Sequence, residues 1–260
     1  MSFRQHNDIR YYAFDIFGSS IEHGVFTRQG GISPAPWASL NVGGMVGDEP
    51  AHVRANRVRS FEALGRKPAS IFDVWLVHSA AVICTDAPRP LEAIPQQADI
   101  ILTDKPQVTL FMRFADCVPI LFYDPKKAVV GIAHAGWLGT VRGAARSAVE
   151  TMQARYGCKP QDLLAAIGPS IGPDHYEIGP DVIERVRQAF GADADRLLET
   201  RTGRVYLDLW TANFLQLQKT GVEQIEMAKI CTACHVEDWF SHRAEKGRTG
   251  RFGALIGLQI

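Results

Sequence analysis

The chain has 260 residues, 46% of them hydrophobic and 22% charged, enough for one large domain or two small ones. Lysine plus arginine and aspartate plus glutamate balance at 28 each, so no global field favours nucleic acid or an anionic membrane. The start, Met1 to His6, lacks a signal peptide's apolar core, and no uncharged apolar run of about 18 residues suggests a membrane span. The five cysteines, an odd count in an untargeted chain, read as reduced thiols in a cytoplasmic setting.

The first strand candidates are Tyr11 to Phe17 and Ile21 to Thr27, joined by Gly18-Ser19-Ser20. Gly30-Gly31 and Ser33-Pro34-Ala35-Pro36 mark a loop. Glu49 to Leu64 reads as a helix with Val53, Arg57, Phe61 and Leu64 on one stripe. Arg57 interrupts that apolar face, so it either snorkels to the rim or points into a polar cavity. Strands are expected over 71–77, 81–85, 100–103 and 108–114, then a hairpin of Val118 to Phe122 and Ala128 to Ile132 around Tyr123-Asp124-Pro125. Gly139 to Tyr156 reads as a helix stopped by Gly157. Leu163 to Ile167 and Ile225 to Ile230 read as strands, Pro180 to Phe190 and Asp208 to Thr220 as helices, and Ala254 to Ile260 as the last strand. This order lacks strict βαβ alternation and favours an α+β layered domain.

The hairpin carries chemistry. Cys117 opens it in Ala115-Asp116-Cys117-Val118-Pro119, and His134 follows seventeen residues later in Ala133-His134-Ala135-Gly136-Trp137. A hairpin returns to its start, so thiol and imidazole meet at one sheet end. His78, after another apolar stretch, supplies a second imidazole. Two imidazoles and a thiolate form a three-ligand zinc set with the fourth position free, the mark of a catalytic metal. Asp116 offers a carboxylate to orient a ligand. The alternative is a Cys-His nucleophile pair without metal, and the bland reading is packing.

Cys231-Thr232-Ala233-Cys234-His235 has the C-x-x-C-H pattern of c-type haem attachment. Haem attachment needs export, and redox C-x-x-C motifs open a helix, whereas Trp239-Phe240 follow here. The expectation is two structural thiols, no haem and no role for Cys234. Arg28, Asn41, Arg57 and Arg243 are candidate substrate contacts, each of a type that more often sits in a solvated loop. The glycine-rich turns match neither a Walker loop nor a Rossmann fingerprint.

Taken in order, His23-Gly24-Val25-Phe26-Thr27-Arg28-Gln29-Gly30-Gly31, Ser39-Leu40-Asn41-Val42-Gly43, Asn56-Arg57, Val77-His78, Ala98-Asp99, the Cys117 and His134 motifs, Ile167-Gly168-Pro169-Ser170-Ile171-Gly172, Cys231-Thr232, Ser241-His242-Arg243 and Thr249-Gly250-Arg251 resemble the laccase-domain family. That family is also called multicopper polyphenol oxidoreductase or purine nucleoside phosphorylase. The resemblance spans nearly the whole chain. It implies a single α/β/β/α domain over 1–260 with mixed β-sheets, and Zn2+ on His78, Cys117 and His134. It also implies phosphorolysis of purine nucleosides, with adenosine deamination as a side activity. Small-molecule partners, a nucleoside and phosphate, follow. Copper (Cu2+) on the same ligands, oxidising phenols, is the alternative enzyme; a non-catalytic regulatory protein clipped by metal is the alternative from another class. A true multicopper centre takes paired His-x-His motifs, and none of the eight histidines here forms one. The chain departs from the family pattern at Leu76, Ser79 and Leu138, where the family usually writes Gln, Gly and Arg.

Overall fold

The computed structural model describes residues 2–259, so the expected strand end at Ile260 lies outside the described residues. The strands are β1 (Ser2–His6), β2 (Ile9–Ala13), β3 (Ile21–Phe26), β4 (Ile71–Phe72), β5 (Val82–Cys84), β6 (Ile100–Thr103), β7 (Thr109–Phe114), β8 (Val118–Asp124), β9 (Val129–Ala135), β10 (Leu164–Ile167), β11 (Glu177–Ile178), β12 (Leu198–Arg201), β13 (Arg204–Leu207), β14 (Gln224–Met227) and β15 (Phe252–Leu258). The α-helices are α1 (Pro50–Glu62), α2 (Trp137–Val141), α3 (Ala144–Tyr156), α4 (Pro180–Phe190) and α5 (Leu209–Lys219).

Two six-stranded mixed sheets form the centre, ordered β1-β2-β3-β15-β7-β4 and β14-β10-β8-β9-β6-β5. A small third sheet runs β11-β13-β12. Parallel pairs occur at the edges, β4 with β7, β10 with β14 and β5 with β6; the centres are antiparallel. The side-chain period of two sorts each strand between layers. On β8, Val118, Ile120 and Phe122 join the core beneath the helices, while Leu121 and Tyr123 enter the core between the sheets. On β7, Leu110, Met112 and Phe114 enter the intersheet core and Phe111 packs with Phe61 of α1. The layers therefore run α1, sheet, sheet, then the helices α3 and α5, which is the α/β/β/α arrangement.

Several elements differ from the sequence-based expectation. The helix expected over 139–156 is two helices. Gly143 adopts φ +83° and breaks the run, and α2 begins earlier, at Trp137. The strand expected from Ile71 to Val77 stops at Phe72, because Trp75 makes only an isolated bridge to Gln97. The strand expected from Tyr11 to Phe17 ends at Ala13, and Asp15–Phe17 turns as a 3-10 helix. β1 and the β11-β13-β12 sheet were not anticipated: β1 is exposed throughout, and the other three are two- to four-residue strands too short for an apolar alternation to show. Asp208 is not the first turn of α5 but its cap, accepting the Thr211 N–H at 2.9 Å.

Candidate functional site

The hairpin β8-β9 pairs Pro119 with His134, and β6 pairs Ile100 with Ala133. Cys117, His134 and Asp99 thus share one end of one sheet. The loop after β4 delivers His78 to the same place. Ligand atoms of His78, Cys117 and His134 all lie within 4.8 Å of one another, with His78 Nε2 3.9 Å from the Cys117 sulfur. A tetrahedral zinc ion would need a sulfur–nitrogen edge of about 3.6 Å. The donor set therefore fits a borderline-soft metal with small ligand movement. Gly136 keeps the space clear: a Cβ there would meet the Cys117 sulfur at 2.8 Å and His78 Cδ2 at 3.1 Å.

Asp99 organises the cluster. Its carboxylate is 2.9 Å from His134 Nδ1, which leaves Nε2 of that ring for a metal. It also accepts backbone N–H groups from Val77, His78 and Ser79, and the Ser79 hydroxyl at 2.8 Å. His78 itself has φ +56°, a conformation costing about 1–3 kcal/mol, and these bonds hold it there. Arg142 clamps the other side by donating to the His78 carbonyl at 3.0 Å. The hydroxyl of Ser79, where the family pattern has glycine, adds one bond to this cradle.

The orienting role expected of Asp116 falls to Asp99 instead. Asp116 has φ +79°, and its two oxygens accept from the Thr232 hydroxyl and the Arg243 backbone N–H, both at 2.7 Å. It is a clasp between the Cys117 loop and the segments around 232 and 243, at the rim of the cleft.

Burial raises the Cys117 thiol pKa, but the His134 charge and hydrogen bond, with His78 behind them, outweigh it and bring the value down to about 6. Burial lowers that of His134, while the thiolate and Asp99 prevail and lift it to about 9. Both shifts favour a thiolate beside an imidazolium in the absence of metal.

The cluster sits in a cleft of about 680 Å³. Its lining is strongly cationic, with Arg57, Arg89, Arg113, Arg243 and Arg251. Arg57, Arg89 and Arg113 converge on one carboxylate, Asp73, at 3.8, 2.7 and 3.3 Å. Three cations on one anion leave an excess of two. Burial, then the Arg113 charge, push Arg57 down to about 10 against the opposing pull of Asp73. An anion bound here would relieve that repulsion. A side lobe of about 200 Å³ beside Cys117 is lined by Trp137, Leu138, Ile171, Tyr176 and Leu209 among others. A larger concavity of about 970 Å³, over α4, contains none of the three ligands.

Arg57 and Arg243 thus reach the cleft. Arg28 and Asn41 do not line it. Arg28 stacks on Phe240 and spends its donors on Ala38, Val236 and Glu245. Asn41 is fully buried and bonds Asp48, Gly43 and the Arg251 N–H. Both support the loops that frame Arg251. The Thr249-Gly250-Arg251 stretch also reads as a source of anion contacts, and Arg251 reaches the cleft; Arg89 and Arg113 were not among the expected contacts, and the signal for Arg113 was a charge inside the apolar run Leu110-Phe111-Met112-Arg113-Phe114.

A twin-sheet layered domain with an open His-Cys-His cluster at the sheet ends defines the class. The family model for multi-copper polyphenol oxidoreductase laccase matches residues 22–259, and the chain belongs to that family. It is 39% identical to a protein of Geobacillus stearothermophilus named purine nucleoside phosphorylase YlmD, over 90% of this chain and 89% of that one. The crystal structure of YlmD from the same organism superposes with a TM-score of 0.92 at 35% identity, covering 99% of both chains. The crystal structure of the Bacillus licheniformis hypothetical protein YfiH gives 0.92 at 34% identity, with the same coverage. Among the described residues, no helix is long and apolar enough to cross a membrane.

Proposed function

We propose that the chain is a zinc-dependent purine nucleoside phosphorylase, converting inosine, adenosine or guanosine and phosphate to base and ribose 1-phosphate. One observation carries the reading: an open three-ligand cluster and a cationic pocket share one cleft. The relatives named purine nucleoside phosphorylase support it.

In this reaction a phosphate oxygen bonds to the anomeric carbon as the glycosidic bond breaks, and the electron pair leaves with the purine. Arg57 and Arg113 bind the phosphate and aim it, with Arg251 and Arg243 on the neighbouring wall. Trp75, Trp137 and Tyr176 offer flat apolar surface to a base and exclude water. His78, Cys117 and His134 would hold the metal, with Asp99 keeping His134 in the ligating tautomer. Zinc, when bound, supplies Lewis-acid polarisation or a hydroxide, the latter suiting adenosine deamination.

The deciding assay is release of purine base from nucleoside with and without phosphate. Base release that needs phosphate supports phosphorolysis. Oxygen uptake with a phenol, only with copper loaded, would instead favour the phenol oxidase reading that the family description suggests.

Arg57→Ala is expected to raise KM for phosphate about ten-fold, since a charge-assisted bond is worth roughly 1.5–3 kcal/mol. KM for nucleoside should move much less. Equal losses for both substrates would return Arg57 to a structural role, through its bonds to the Val42 carbonyl.

Leu138 lines the side lobe and is only partly buried, so an arginine there has room to face the cleft. Leu138→Arg is expected to increase kcat/KM by about ten-fold, one decade per ~1.4 kcal/mol. A large fall in Tm with no gain in activity would make the lobe a packing feature.

A further inference from the structure

The C-x-x-C-H segment takes no part in the cleft, yet the fold does not leave its thiols alone. After β10 the chain turns through Gly172, and Asp174 and His175 come against Cys231 and Cys234. His175 Nδ1 lies 3.8 Å from the Cys231 sulfur, 3.5 Å from the Cys234 sulfur and 3.1 Å from Asp174 Oδ2. The Cys234 sulfur lies 3.5 Å from Asp174 Oδ2. All four ligand atoms are within 4.8 Å of one another.

Zinc–ligand bonds of ~2.3 Å to sulfur and ~2.0–2.2 Å to nitrogen or oxygen imply tetrahedral edges of about 3.6 Å for S–N and S–O and about 3.3 Å for N–O. The four measured edges agree within about 0.3 Å. The other two edges, from the Cys231 sulfur to the Cys234 sulfur and to the Asp174 carboxylate, lie within 4.8 Å. We propose that Asp174, His175, Cys231 and Cys234 form a second binding site, for zinc or a similarly soft divalent cation, separate from the His78-Cys117-His134 cluster. Cys234 therefore has a role, against the expectation drawn from the sequence.

The site is of the closed kind. Four protein ligands complete the coordination and leave no position for water or substrate, so its work is structural. None of the four residues lines the cleft. What the ion would fasten is the cleft wall. Tyr176 follows His175 directly and faces the cleft. Arg243 stacks on Tyr176 and donates to the carbonyls of His175 and Glu177. Cys231 is tied from beneath by the Gly172 N–H, 3.1 Å from its sulfur, and its neighbour Thr232 bonds Asp116. A cation here joins the 172–177 loop to the 231–234 segment, so Tyr176 and Asp116, which Thr232 holds, are fastened together at the cleft.

The test is metal stoichiometry on the full-length chain, purified under reducing conditions, saturated with zinc and desalted. Two equivalents per chain are expected for the native sequence. Cys117→Ala should keep one, Cys234→Ser should keep one, and the double variant should keep none. Cys234 is exposed, so its serine variant tests binding without emptying the core; Cys231 is buried and is left intact. Cobalt(II) added to Cys117→Ala should show thiolate charge-transfer absorption and the ligand-field bands of a tetrahedral ion, and Cys234→Ser should abolish both. A native chain that holds at most one equivalent would overturn the proposal. So would a Cys234→Ser variant with an undiminished complement, or a Cys231–Cys234 disulfide in the reduced preparation.

Discussion

Asp99→Asn is expected to lower zinc affinity 10- to 100-fold and to cost roughly 3–5 kcal/mol of stability. The carboxylate is fully buried and touches five donors: His134 Nδ1, three backbone N–H groups and the Ser79 hydroxyl. An amide replaces one acceptor oxygen by an NH2 facing those donors. His134 loses the partner that selects its tautomer, and His78 loses the bond that holds its left-handed backbone. Burial acts to raise the Asp99 pKa, but the His134 and Ser79 hydrogen bonds prevail and depress it to about 2. Its stabilising contribution is therefore present above the unfolded carboxylate value near 3.8 and lost as pH falls through the folded value near 2. The Asn variant should lack that part of the acid transition. Competition with a chelator measures the affinity, and an unchanged zinc constant would remove Asp99 from the metal's support.

Gly136→Ala should cost still more activity with less damage to the fold. Gly136 sits at φ −71° and ψ 178°, a backbone that alanine adopts freely. The added methyl nevertheless falls 2.8 Å from the Cys117 sulfur, closer than atoms of this kind pack. Either the thiolate swings away or the His78 ring does, and a three-ligand site keeps no ligand in reserve. A loss of at least about 100-fold in zinc affinity and in kcat/KM is expected, with the metal-free protein melting within ~1 kcal/mol of native stability. Normal zinc content with low activity would place the effect on substrate entry.

The candidate metal trio was legible because a hairpin is local: the turn from Pro125 to Ala128, just after the expected Tyr123-Asp124-Pro125, brings Cys117 and His134 together whatever the rest of the fold does. His78 could be added by residue type alone. Asp99 was present only as part of a resemblance, since a buried acid at a strand start looks like any loop aspartate until its neighbours are known. The orienting role expected of Asp116 goes to Asp99 because both Asp116 oxygens are taken by the Thr232 hydroxyl and the Arg243 N–H, partners more than a hundred residues away in sequence. The arginines were harder. Arg89 comes from a loop and Arg113 from β7, and only the tertiary fold brings both to Asp73 just after β4, while Arg251 lies two residues before Gly253, the β15 partner of Arg113 in the same sheet. In the same way, the two thiols of Cys231 and Cys234 gave no hint of Asp174 and His175, which lie more than fifty residues upstream.

The cleft is built astride a seam. Cys117, His134 and Asp99 belong to the sheet of β6, β8 and β9, while Arg113 and Arg251 belong to β7 and the approach to β15 in the other sheet. The apolar side chains between the sheets, such as Leu121, Ile132, Met112 and Ala254, act as a spacer that sets the distance from ligand cluster to cationic wall. Reach across the cleft is thus a property of the interior. Thickening or thinning that spacer by one methylene changes which molecule can touch both banks at once, without altering any residue that a bound molecule would meet.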